Sequence, residues 1–111
     1  MKVEKIHDVT IISADERLDA GMSPKLKSVV KELAQETGIK LVIDLGNVRL
    51  IDSSGCGELV AALKTVSKNH GDMKIARPTS QASALIQLTG LHRVLDIHDT
   101  LESALNSFGP S

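Results

Sequence analysis

Aromatic side chains are almost missing from this chain, which has no tryptophan, no tyrosine and one phenylalanine, Phe108. A core must therefore be built from leucine, isoleucine, valine and alanine, and stacking on nucleobases has no platform. Cysteine is scarce too. The lone Cys56 excludes an internal disulfide, and no secretory signal is expected ahead of the fold. Neither sign of charge dominates: 13 basic residues face 14 acidic ones, a net charge of -1. No basic block is concentrated enough to track a phosphate backbone, so nucleic acid is not an expected partner. No apolar run approaches the ~20 residues of a membrane span. Membrane insertion is not expected, and the expected compartment is the cytoplasm. Repeats, low-complexity tracts and linkers are also missing. The 111 residues suffice for one core without staples, so a single domain is expected over 1–111, with 109–111 a disordered tail.

What is present is an alternation of strand and helix patterns. Val3, Ile6, Val9, Ile11 and Ile12 predict two short strands or one bent strand before Ser13. A small, polar segment follows to Met22. Ser23-Pro24 predicts a helix start, with Ser as the cap and Pro at the first helical position. Leu26, Val29, Val30, Leu33 and Ala34 then share one helical face. The continuous run Leu41-Val42-Ile43 predicts a central strand covered on both faces. Gly46-Asn47 turns the chain. Cys56, Leu59, Val60, Leu63 and Val66 mark a second helix, with Leu63 expected mid-stripe. Met73 to Ala76 reads as a strand ended by Arg77-Pro78, and Ser80 to Leu88 as a third helix closed by Gly90. Val94, Leu95 and Ile97 predict a last strand. Asp99 and Glu102 have the spacing of a capping box ahead of a final helix that turns Leu101, Ala104, Leu105 and Phe108 inward. Such alternation predicts an α/β domain with helices packed on a sheet that contains parallel pairs.

The stretch that carries chemistry is Leu50-Ile51-Asp52-Ser53-Ser54-Gly55-Cys56-Gly57-Glu58, where an apolar run ends in an acid, two hydroxyls and two glycines. Asp52, Ser53 and Ser54 are all residue types whose oxygens cap a first helical turn. The two hydroxyls therefore lie at a helix N-terminus, where aligned peptide dipoles favour an anion by about 0.3–1 kcal/mol. A phosphate on Ser53 is compatible with such a fold. Gly55 and Gly57 leave backbone bare for a close approach. The same residues also read as an ordinary capped helix with small residues where it meets the sheet.

Other chemistries fit less well. A serine hydrolase elbow has glycine two residues before its nucleophile, where this chain has Ile51 or Asp52. None of His7, His70, His92 and His98 falls in a triad pattern. Gly55-x-Gly57 lacks the third glycine of a dinucleotide loop, and no Gly-Lys-Ser/Thr follows. His92, Asp96, His98 and Asp99 span a loop and a strand without metal-motif spacing and read as solvated polar residues. Cys56 reads as a small buried hydrophobe; exposed at a positive helix end, its thiol would instead be acidified.

The segment from Val42 to Gly57, with Asp52-Ser53-Ser54-Gly55 toward its end, resembles the signature of STAS domains, the family of bacterial anti-sigma factor antagonists. Arg17-Leu18-Asp19-Ala20 and Leu88-Thr89-Gly90-Leu91 are similar to further family elements. The likeness runs from about Val9 to Phe108. Glu16 and Cys56 stand where the family commonly has Gly and Leu. The resemblance implies a single STAS-type α/β domain with a mixed, mostly parallel sheet of four to five strands and about four helices. It also implies a binding module in partner switching rather than an enzyme. The unphosphorylated form would bind an anti-sigma factor with a histidine-kinase-like serine-kinase domain, phosphorylation would end that contact, and a PP2C-type phosphatase would reset it. Ser53, directly after the Asp, is then the acceptor and Ser54 the fallback, with Asp52, Ser53, Ser54, Gly55, Gly57 and Glu58 at the partner surface. No cofactor is implied, because ATP and Mg belong to the kinase. Two alternatives stay open: a STAS regulator of a secretion, biofilm or lipid-transport component, and an enzyme with a serine nucleophile.

Overall fold

The computed structural model describes residues 1–109; of the expected tail at 109–111, residues 110 and 111 lie outside the described residues. The chain runs β1 (Lys2–Ile6), β2 (Val9–Ser13), β3 (Arg17–Leu18), α1 (Ser23–Leu33), β4 (Lys40–Asp44), β5 (Leu50–Ile51) and α2 (Ser53–Lys68). It continues through β6 (Asp72–Ala76), α3 (Ser80–Leu88), a 3-10 turn (Leu91–Arg93), β7 (Ile97–His98) and α4 (Leu101–Asn106). Five strands form one sheet in the order β1-β2-β4-β6-β7. Only β1 is antiparallel, joined to β2 by a tight turn at His7-Asp8, and β2, β4, β6 and β7 are parallel. This is the expected mixed, mostly parallel sheet with four α-helices.

From β2 onward the strands are laid down in one direction across the sheet, and right-handed crossovers then place every connecting helix on the same face. Side-chain burial agrees. Ile12, Leu41, Ile43, Met73 and Ile75 pack with Leu26 and Val30 of α1, Leu59 and Val66 of α2 and Ile86 of α3 in the larger core. On the other face Val9, Ile11, Val42 and Ala76 meet Ala104, with Leu101, Leu105 and Phe108 half-buried around them. Leu41-Val42-Ile43 of β4 is thus divided between two cores, the double coverage that its unbroken apolar run predicts.

Four details differ from expectation. Ser23 is the first residue of α1 rather than its cap; its Oγ donates to the Asp19 carbonyl at 2.8 Å. The Asp19 carboxylate accepts the Gly21 and Met22 N–H groups, so the acid four residues upstream organises this end. Thr100 rather than Asp99 caps α4, accepting the Ser103 N–H at 3.0 Å. The last strand begins only at Ile97; Val94 follows the 3-10 turn and is exposed.

The fourth detail concerns the phase of α2, whose buried arc is Gly55, Cys56, Leu59, Ala62 and Val66. Leu63, expected mid-stripe, is half-buried at the margin. Ala62 occupies the line of approach because a small side chain lets α2 lie close to its neighbours. Leu59→Ala is therefore expected to destabilise by about 2–5 kcal/mol through cavity formation, and Leu63→Ala by clearly less. Urea midpoints of the two variants check the phase. We propose that the chain is one folding unit, so the same curves should each show one cooperative transition; two separated transitions would refute it.

The carboxyl end of the sheet is tied down where the chain leaves it. Asp44 is buried, and its carboxylate accepts the Gly46 N–H at 2.9 Å and Arg77 Nε and Nη2 at 3.0 and 2.9 Å. Thr79 Oγ1 donates to the Val48 carbonyl at 2.6 Å. These bonds fix the turn through Gly46 that carries the chain off β4 toward β5 and α2.

Candidate functional site

The pairing of β3 with β5 is only two residues long, Arg17 with Leu50 and Leu18 with Ile51, yet it brings the two sequence-distant motifs together. The Asp52 N–H points to the Leu18 carbonyl at 3.4 Å. In extended conformation, Asp52 is the N-cap of α2, with Oδ1 accepting the Gly55 N–H at 3.0 Å. Oδ2 accepts the Ala20 N–H at 3.1 Å. One carboxylate thus closes the first turn of the helix and holds the loop after β3 against it. That loop is braced in turn: Arg17 Nε reaches Asp19 Oδ2 at 2.9 Å, and the guanidinium holds the Asp19 carboxyl below the usual carboxylate range.

With Asp52 as cap, Ser53 and Ser54 are the first two residues of α2, and both are exposed. Their own N–H groups belong to the set that a helix leaves without an internal partner. The hydroxyls stand beside free donors at the positive end of a sixteen-residue helix, open to a macromolecular partner. Chemically this end can carry an added anion without burying it.

The two glycines have different roles. Gly57 is exposed, and a Cβ there would meet nothing within 4 Å, so it remains available to an incoming surface. Gly55, expected at that surface too, is buried. Its Cβ would stand 2.1 Å from the Leu18 carbonyl oxygen and 3.0 Å from the Leu18 carbonyl carbon. Its bare backbone serves the approach of α2 to β3 rather than of a partner. Glu58 is half-buried; burial raises its carboxyl above the ordinary value and the Lys27 ammonium draws it back.

Cys56 faces the core, 2% exposed. Burial pushes its thiol up, and the Asp52 charge adds to this, so the helix end does not acidify it. An aromatic disulfide reagent is expected to modify native protein orders of magnitude more slowly than unfolded protein; equal rates would place the thiol at the surface. His98, Asp96 and Lys74 form a polar cluster near β7, with Asp96 2.6 Å from Lys74 Nζ and His98 Nδ1 2.8 Å from Ser103 Oγ. Among the described residues no group of three His, Cys, Asp or Glu is arranged to hold a metal. A polar hollow of about 870 Å³ beside Asp15, Glu16, Arg49 and Gln81 is lined by neither Ser53 nor Ser54.

Two features of this region were not read from the sequence. One is Leu50, 54% exposed immediately before the corner; a two-residue strand is too short for its alternation to be seen. The other is the groove between α1 and α2, which depends on how two distant helices pack. Among the described residues no helix is long and apolar enough to cross a membrane.

A family model described as the STAS domain matches residues 1–104. The chain is similar to the anti-sigma-B factor antagonist of Listeria monocytogenes, 29% identical over 89 residues that cover 80% of this chain and 77% of the relative. Among solved structures, an anti-sigma factor antagonist from Mycobacterium paratuberculosis matches with a TM-score of 0.85 at 27% identity, covering 96% of this chain and 90% of that one. The Bacillus cell fate determinant SpoIIAA in its phosphorylated form shares the fold, with a TM-score of 0.71 over 96% and 97% of the two chains; at 16% identity the likeness is one of fold.

Proposed function

The chain belongs to the STAS domain family, and from this premise we propose that it is an anti-sigma factor antagonist whose partner binding is ended by phosphorylation of Ser53. The observation that carries the reading is the capped N-terminus of α2. Asp52 is already committed to Gly55 and Ala20, while the neighbouring Ser53 is exposed at a helix start whose first N–H groups have no partner within the helix. A phosphate there brings about -1.5 to -2 charge. Free N–H groups and the helix dipole take up part of that charge. The fold is left intact, and the burden falls on any surface packed against the corner.

Support comes from the relatives named as anti-sigma factor antagonists and from a protein of this fold solved in a phosphorylated form. The unphosphorylated chain binds an anti-sigma factor bearing a serine-kinase domain of the histidine-kinase-like ATPase type, which frees the sigma factor. The kinase supplies ATP and Mg and transfers phosphate to Ser53, with Ser54 as the fallback acceptor. A PP2C-type phosphatase removes it. The chain itself is a cytoplasmic binding module and not an enzyme. Its contact surface comprises Asp52, Ser53, Ser54, Gly57 and Glu58, without the buried Gly55. The test is incubation with the co-purifying kinase and Mg-ATP followed by peptide mass spectrometry. One phosphate on Ser53 is expected; phosphate only on Ser54 would move the site, and none on either would remove the reading.

A further inference from the structure

The exposed face of α2 continues away from the serines as a groove against α1, about 450 Å³ in volume. Ser54, Glu58, Ala61, Thr65 and Lys68 recur at i, i+4, i+7, i+11 and i+14, so one stripe of the helix leads from the corner down this groove. Its floor is apolar, from Ala61 over the buried Val30 and Ala62, and its rims carry Lys27, Lys31 and Lys68 against the single acid Glu58. All three lysines are exposed. Among the described residues the lysines engaged in ion pairs are Lys2, Lys5, Lys40 and Lys74, and none of these three. Lys27 and Lys31 stand one turn apart on α1, a like-charge pair that mildly opposes the helix. An apolar floor between three ammonium groups and one carboxylate is complementary to an acidic, amphipathic segment. From Glu58 to Lys68 the stripe spans about 15 Å, the length of roughly three helical turns.

We propose that the α1–α2 groove docks an acidic amphipathic helix of the same protein partner that packs on the serine corner. The identity of that partner rests on the function proposed above. The groove itself stands on its own charge and shape. A helix lying along the stripe would meet the corner at its Ser54 end, so one binding partner would touch both the phosphate acceptor and the lysine rims.

The probe is a synthetic peptide of about 12 residues with leucines on one face and glutamates along both flanks, titrated into isotopically labelled protein and followed by amide chemical shifts. A second peptide has lysine in place of every glutamate. The acidic peptide should shift residues lining the groove on α1 and α2 saturably, and its affinity should fall as salt rises. The basic peptide should not bind. Lys27→Glu combined with Lys31→Glu should weaken the acidic peptide about tenfold or more, while Lys64→Glu, on α2 outside the groove, should leave it unchanged. Equal binding of the two peptides, shifts centred elsewhere, or an unaffected Lys27→Glu/Lys31→Glu variant would each overturn the proposal. Since the peptide carries no kinase, the outcomes separate. A peptide bound in the groove of a chain whose Ser53 is never phosphorylated removes the functional reading alone, and a phosphorylated chain whose groove ignores the peptide removes this inference alone.

Discussion

Gly55→Ala is expected to destabilise the protein by about 3 kcal/mol, although the substitution replaces a poor helix former with the best one. Helix propensity, which is largely the lower entropy of the unfolded chain, favours alanine by up to about 1 kcal/mol. Against this stands the 2.1 Å approach of the new Cβ to the Leu18 carbonyl oxygen. Leu18 is fully buried, and its backbone is held by the β3–β5 pair. No side-chain rotation relieves the contact; the start of α2 has to move off β3. Overpacking typically costs about 1–3 kcal/mol, and more where backbone must yield. The displaced helix end carries Asp52 with it and loosens the bond to Ala20. Gly57→Ala is the control, because its Cβ meets open space and should stabilise by up to about 1 kcal/mol. If Gly57 belongs to the contact surface, that same variant should bind the partner more weakly. Urea unfolding of both variants checks the pair, and the reverse order of stabilities would show that α2 does not lie on β3.

Much of the fold was legible because it is written in local periodicity. The apolar face of α1, the doubly covered β4 and the turn at Gly90 all follow from spacing. Gly90 does adopt the left-handed conformation, with φ at 77°. Misreadings occurred where a nonlocal neighbour decides. Ser23-Pro24 is a sound helix opening, yet no side chain caps α1; the Asp19 carboxylate instead holds Gly21 and Met22 just ahead of it, and its reach depends on the loop pinned by Arg17. On α2 an apolar scale favours Leu63 over Ala62, whereas close packing selects the smaller residue for the centre of the buried face. The corner itself was recognisable, with its capping acid, its two serines and its place at a helix start. What the sequence could not tell was which glycine faces inward, because the neighbour of Gly55 is a two-residue strand thirty-odd positions earlier.

Phosphorylation of Ser53 is expected to weaken partner binding by about a hundredfold or more, roughly 2.7 kcal/mol, while leaving the domain folded. Within the free protein the added charge stays in water and meets the positive end of α2. In a complex, a surface resting on Ser54, Gly57 and Glu58 has to accommodate three new oxygens and strip water from a dianion, which costs several kcal/mol when no cation compensates. On the proposed reading, the asymmetry between these two environments would make the site a switch of affinity rather than of folding. Ser53→Ala, which removes the acceptor and little else, should keep the partner bound in the presence of Mg-ATP. The most direct test is a paired measurement on unmodified, Ser53→Ala and Ser53-phosphorylated protein: affinity for the co-purified anti-sigma factor beside a circular dichroism melt. The account predicts that the phosphoprotein binds about a hundredfold more weakly and melts within about 5 °C of the unmodified form; a phosphoprotein that binds as tightly as the unmodified chain, or that loses its partner only because it has unfolded, would contradict it.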